Sequence, residues 1–195
     1  VRKAIVAGIL LAFVSTANSA DFQGNCDIRF MGDSTLHDFS GTGRCRPFTA
    51  TLSTGKDGRS IVPVLEISTP VAEMDTKNGS RDRQMREMFE GGKYPLILAV
   101  LTDIDPEKVL GEMKKKPGGK TPVDFNLKIR NIERKIRAVI GNLKESPGHI
   151  SFDAEFPVSL KEYELKPPKV LFGAISVRDS VTVKVAFSLD KVQAK

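Results

Sequence analysis

The second half of the chain alternates between apolar and polar residues with little interruption. Val123, Phe125, Leu127 and Ile129 are separated by Asp124, Asn126 and Lys128. Ile132, Ile136, Ala138 and Ile140 share one parity against Glu133, Lys135 and Arg137, with Val139 breaking the rule. Ile150, Phe152, Ala154, Phe156 and Val158 alternate with Ser151, Asp153 and Glu155, and Val181, Val183, Val185, Phe187 and Leu189 with Thr182, Lys184 and Ser188. A period of two residues with one apolar face is the mark of antiparallel strands packed on one side. The first half follows less cleanly. Cys26, Ile28 and Phe30 share a parity, residues 39–53 lean toward strand, and residues 61–68 and 94–101 are apolar runs. Eight strands result, with Gly55, Gly58, Asn131 and the Pro147-Gly148 pair at their junctions, as hairpin connections require.

One segment after the third strand has helical spacing instead. Met85, Met88 and Phe89 fall at i, i+3 and i+4, with Ser80 placed as N-cap, Asp82 in the first turn and Gly91-Gly92 as the stop. A weaker helical signal covers Pro106 to Met113, and residues 160–168 read as an irregular crossing. Eight antiparallel strands must hide two edges, and either a closed barrel or a two-layer sandwich does so. Periodicity fits both.

The first twenty residues read differently. Arg2 and Lys3 precede the apolar run Ala4–Val14 and the small residues Ser15 to Ala20, the layout of a secretory signal peptide cleaved near Ser19 or Ala20. The run is about half of the ~20 residues a membrane helix needs. The expected organisation is therefore a signal peptide over 1–20 and one domain over 21–195, periplasmic or secreted. Losing Arg2 and Lys3 lowers the net charge from +6 to +4, and the remaining charges of both signs are interleaved. No basic face suited to nucleic acid emerges, and Lys114 to Lys116 reads as a solvated loop. Cys26 and Cys45 form an even pair in an oxidising compartment, so a disulfide is expected. With only 2 His in the chain, a metal cluster of Cys and His is excluded in practice.

If the alternating faces turn inward, Phe125, Leu127, Ile129, Ile136, Ile140, Phe152, Phe156, Val183, Val185 and Phe187 line one lumen. None offers a hydrogen-bonding side chain, so water finds few partners there and an alkyl chain fits well. The same residues would equally fill a solid core. Met85, Met88 and Phe89 are candidates for a lid, since methionine adapts its shape to its neighbours. Ser34, His37 and Asp38 suggest a hydrolase, but adjacent His and Asp side chains diverge on an extended chain and no Gly-x-Ser-x-Gly elbow accompanies them. His149 has no evident partner.

Three stretches, in order, carry a likeness to a known family. They are Ser34-Thr35-Leu36-His37-Asp38-Phe39-Ser40-Gly41; Arg81-Asp82-Arg83-Gln84-Met85-Arg86-Glu87-Met88-Phe89 running into Lys93-Tyr94-Pro95-Leu96-Ile97; and Phe156-Pro157-Val158-Ser159-Leu160-Lys161-Glu162-Tyr163 followed by Val177-Arg178-Asp179-Ser180-Val181-Thr182-Val183. Together they resemble the YceI-like family of secreted lipid-binding proteins. The resemblance implies an eight-stranded, lipocalin-like antiparallel β-barrel with an apolar tunnel. It implies a bound polyisoprenoid or similar amphiphile, no catalysis, and no cofactor other than such a lipid or an isoprenoid quinone. Some relatives are associated with membrane cytochromes of the b561 type, so the alternative the resemblance implies is a periplasmic accessory of membrane electron transfer that presents an isoprenoid quinone to such a cytochrome, with transient contact to it or to the membrane. The lysine-rich connection from Pro106 to Gly119 and the Cys26/Cys45 pair depart from the usual pattern.

Overall fold

The computed structural model describes residues 20–35, 38–55, 57–115, 119–167 and 177–192. Residues 1–19 of the expected signal segment and His37 lie outside them, as does Lys116, while Ala20 is the first residue of β1. The described chain forms β1 (Ala20–Ser34), β2 (Phe39–Arg44), β3 (Phe48–Thr54), β4 (Ser60–Pro70), α1 (Gly79–Met88), β5 (Leu96–Ile104), α2 (Pro106–Lys115), β6 (Thr121–Ile129), β7 (Ile132–Ser146), β8 (His149–Ser159) and β9 (Val177–Lys191).

The strands make one antiparallel sheet that closes because β1 also pairs with β9. Nine strands occupy eight positions around the barrel. β2 and β3 lie end to end on the same edge of β1, with Phe30 opposite Gly41 and Gly24 opposite Phe48. The register slips by one residue between them, at Cys45–Pro47. Pro47 has no N–H to continue the ladder, and Arg46 N turns away to Ser68 O at 2.8 Å. The expected strand over 39–53 is thus interrupted once by a bulge and bent there. Closure leaves no open edge along most of the sheet, and it decides for the barrel over the sandwich.

The expected disulfide sits at this bend. Cys26 and Cys45 are bonded with Cα atoms 5.3 Å apart, and both are buried in the barrel wall. Their 19-residue separation corresponds to about 3 kcal/mol of loop-closure entropy in the chain-entropy model.

Both helices differ from the sequence expectation in detail. The N-cap of α1 is Asn78, not Ser80. Its backbone is extended (φ −145°) and its side chain accepts from Arg81 N at 3.0 Å, which places Ser80 in the first turn. The weak signal after Pro106 is a full helix, so the single expected helix becomes two. Asp105 caps α2 by accepting from Lys108 N at 2.9 Å, and Pro106 stands at the first helical position, where its missing N–H costs nothing. Lys114 and Lys115 belong to the last turn of α2, where they complement the helix dipole, instead of a loop. His149 also has a partner after all: its Nδ1 lies 2.7 Å from Asp190 Oδ1 across β8 and β9.

The connection from β8 to β9 begins as a packed turn. Leu160, Tyr163 and Leu165 are buried, and Tyr163 is wholly inaccessible. Asp179 holds the turn in place by accepting from Lys161 N and Ser159 Oγ, both at 2.8 Å. These donated hydrogen bonds keep its carboxyl below the usual carboxylate range.

Candidate functional site: an apolar bore with one mouth

Alternation places one face of every strand inside the barrel, and the inward side chains leave a cavity of about 660 Å³. Of the residues expected to line a lumen, Phe125, Leu127 and Ile129 on β6, Ile140 on β7, Phe152 and Phe156 on β8, and Val183, Val185 and Phe187 on β9 stand on its wall. Ile136 does not: it is buried in the same core cluster but off the cavity surface. Met85, Met88 and Phe89 of α1 also reach the cavity, and Cys26 contributes to the wall.

The other half of the wall comes from strands whose patterning was less legible. Ile28 and Phe30 on β1, Leu65 and Ile67 on β4, and Ile97, Ala99 and Leu101 on β5 all face the bore. Parity in β5 was hidden because its outward residues Leu98 and Val100 are apolar as well. It is then broken at Asp103, whose left-handed φ of 51° lets both Leu101 and Ile104 face inward.

Three inward-facing glycines shape the bore. Gly24, Gly32 and Gly41 are each directly opposite a phenylalanine on the neighbouring strand: Phe48, Phe39 and Phe30. In each pair the ring lies over the glycine, in the space a Cβ would occupy. The rings therefore rest flat against the wall instead of projecting across the axis. Further along, Phe187 stacks on Phe152 at 5.0 Å and meets Phe48 edge-on at 6.3 Å, while Phe125 and Phe156 form a T-shaped pair at 5.1 Å.

The two ends of the bore are chemically unlike. Antiparallel connectivity puts the β1–β2 loop, α1 and the β8–β9 connection at one end. The β3–β4 hairpin, α2 and the β7–β8 turn are at the other. Every exposed residue on the cavity wall belongs to the first end: Asp38, Asn78, Ser80 and Arg81, joined by Ser34, Thr76 and Gln84. That end is the mouth. Among the described wall residues, Arg81 is the sole cation and Asp38 the sole anion. Asp82 is turned aside, accepting from Thr76 N at 2.8 Å and Thr76 Oγ1 at 2.6 Å. No group of three or more Cys, His, Asp or Glu suited to a metal ion occurs among the described residues.

Tyr163 is buried between the wall residues Leu160 and Leu165 in the chain, its hydroxyl donating to Leu127 O at 3.0 Å. Burial pushes this phenol up from 10.0 to about 12. A raised pKa in the folded state means the neutral form is favoured there. The associated stability is complete below pH 10 and drains away as pH rises toward about 12. Denaturant midpoints recorded across this range should fall steeply in the parent protein and more shallowly in Tyr163→Phe. At neutral pH the same variant should lose about 1 kcal/mol for the missing hydrogen bond.

Comparison with known proteins agrees with this architecture. The family model for the YceI-like domain matches residues 19–189. The chain belongs to that family. Among solved structures, the YceI-like barrel is similar to a polyisoprenoid binding domain from Saccharophagus degradans implicated in plant cell wall breakdown. The two share 14% identity and a TM-score of 0.61, over 87% of this chain and 98% of the other. It is also similar to BcnA from Burkholderia cenocepacia, at 14% identity and a TM-score of 0.60, over 84% and 95% of the two chains. At such identity these likenesses establish the fold. No curated protein sequence matches the chain.

Proposed function

We propose that this YceI-like domain binds, and thereby carries or stores, a polyisoprenoid or similar long-chain amphiphile, tail in the bore and head at the mouth, without catalysis. The observation that supports this most is the cavity whose described wall residues are apolar except at one end. Such a space is dry, and each buried CH₂ yields about 0.8 kcal/mol, so an isoprene unit contributes roughly 3–4 kcal/mol before motional losses. A few units suffice for micromolar affinity. A polar head buried unpaired would cost several kcal/mol, which keeps it among Ser34, Thr76, Asn78, Arg81 and Gln84. The polyisoprenoid-binding description of the Saccharophagus neighbour points the same way. The disulfide suits an oxidising compartment, and we place the protein in the periplasm or outside the cell.

Native mass spectrometry of protein purified from its host's periplasm, followed by organic extraction, tests the proposal. The expected result is a non-covalent adduct whose extract is an isoprenoid or long-chain lipid; ultraviolet absorbance of the extract separates a quinone from a saturated head. Lipid-free protein that also takes up no geranylgeraniol would overturn the reading. Turnover of an ester substrate that disappears in His37→Ala would replace it with the hydrolase alternative.

A further inference from the structure

We infer that α2 is the floor of the bore and sets the length of the chain it accepts, at about four isoprene units. This rests on the lipid-binding reading above. The seam between β5 and β6 is short, with Leu98, Ala99 and Val100 as its paired residues on β5. Beyond them toward the lower end the two strands part, and α2 connects them across the gap. Val109 stands on the cavity wall, Leu110 packs against the core beside it, and Met113 is 2% exposed. Among the described residues, no wall residue at this end is fully exposed, in contrast to the mouth, and α2 lies across the opening.

The helix is tied down on several sides. At its start, Asp105 accepts from Arg59 of the β3–β4 hairpin at 2.7 Å. Along its length, Thr121 Oγ1 of β6 donates to Glu112 at 3.2 Å. At its end, Lys114 pairs with Glu145 of β7 at 2.7 Å. A hairpin and two strands thus strap one helix across the opening. With the floor fixed, about 660 Å³ remains above it. At roughly 30 Å³ for a water-sized group, taken as the size of one CH₂, that volume holds about twenty carbons. A much longer chain would leave its remaining carbons in water at the mouth.

The test is competition among three alcohols with the same head: farnesol, geranylgeraniol and solanesol. The full-length protein is exchanged against an equimolar mixture in mixed micelles, and occupancy is read by native mass spectrometry. Geranylgeraniol should dominate, with solanesol at about a tenth of its occupancy or less. Val109→Trp, which raises the floor, should shift the ratio toward farnesol by about tenfold. The double variant Arg59→Ala/Lys114→Ala alters only exposed straps, and should raise the share of solanesol several-fold. Solanesol held as well as geranylgeraniol by the parent protein overturns the length gauge while leaving lipid binding intact. Ratios unmoved by both the floor and the strap variants overturn it too. Retention of none of the three alcohols overturns the lipid reading itself.

Discussion

An Ala154→Phe variant is expected to fold normally and to retain no prenyl lipid. Ala154 lies on β8 between Phe152 and Phe156, opposite Ile140 of β7 and Val185 of β9. All five residues face the bore. With Ala99 and Ala138, Ala154 is one of the small side chains that keep the barrel open where larger ones would meet. Phenylalanine there adds six heavy atoms with no polar group. Against room for roughly twenty carbons, the ring displaces more than one isoprene unit, worth about 3–4 kcal/mol. Affinity should fall at least a hundredfold. The same ring gains apolar contacts inside the barrel, so the melting temperature should hold or rise. Thermal unfolding beside lipid occupancy by native mass spectrometry checks both halves. A folded variant that still loads normally would place the ligand outside this bore.

The second large effect is at Gly41. Any Cβ there enters the ring of Phe30, its cross-strand partner, and the ring must swing toward the axis or the strands must part. Gly41→Ala should destabilise by about 1–3 kcal/mol, the usual cost of overpacking a filled site. Gly43 on the same strand supplies the control. The nearest atom to its added Cβ, from Met74, is 3.6 Å away, so Gly43→Ala should be neutral or slightly stabilising. Combining Gly41→Ala with Phe30→Leu should recover most of the loss, because the smaller side chain vacates the contested space. Denaturant midpoints of the four proteins measure the coupling. Equal effects at Gly41 and Gly43 would mean that ring placement is not what Gly41 provides.

Much of the fold was readable because most of the strands alternate cleanly, and a single slipped residue would turn a strand's whole apolar face outward. β6 and β8 were found close to their true ends, β9 was found without its first four residues, and the two cysteines that pair were identified. Two features escaped for physical reasons. The break between β2 and β3 depends on Pro47 lacking a donor while Arg46 finds one acceptor on β4, a long-range choice that local pattern does not display. The inward face of β5 was masked by apolar residues on both faces and by the left-handed Asp103. The bore itself was half legible. Periodicity marks which residues face inward, but whether they leave a hole depends on closure and on the Gly–Phe pairs, which join residues from different strands. Ile136 shows the limit: it has the right parity and burial, yet its side chain is not on the open surface.

Under the proposed function, the unequal ends of the barrel dictate how cargo is exchanged. A vessel with a single neck cannot be threaded like a pipe; a tail goes in last-part-first and must back out along the same route. Donor and recipient would then have to dock in turn at the one orifice framed by Asp38 and Arg81, never side by side. Unloading would slow with every additional unit withdrawn into water, unless the recipient sealed its own greasy surface over the rim.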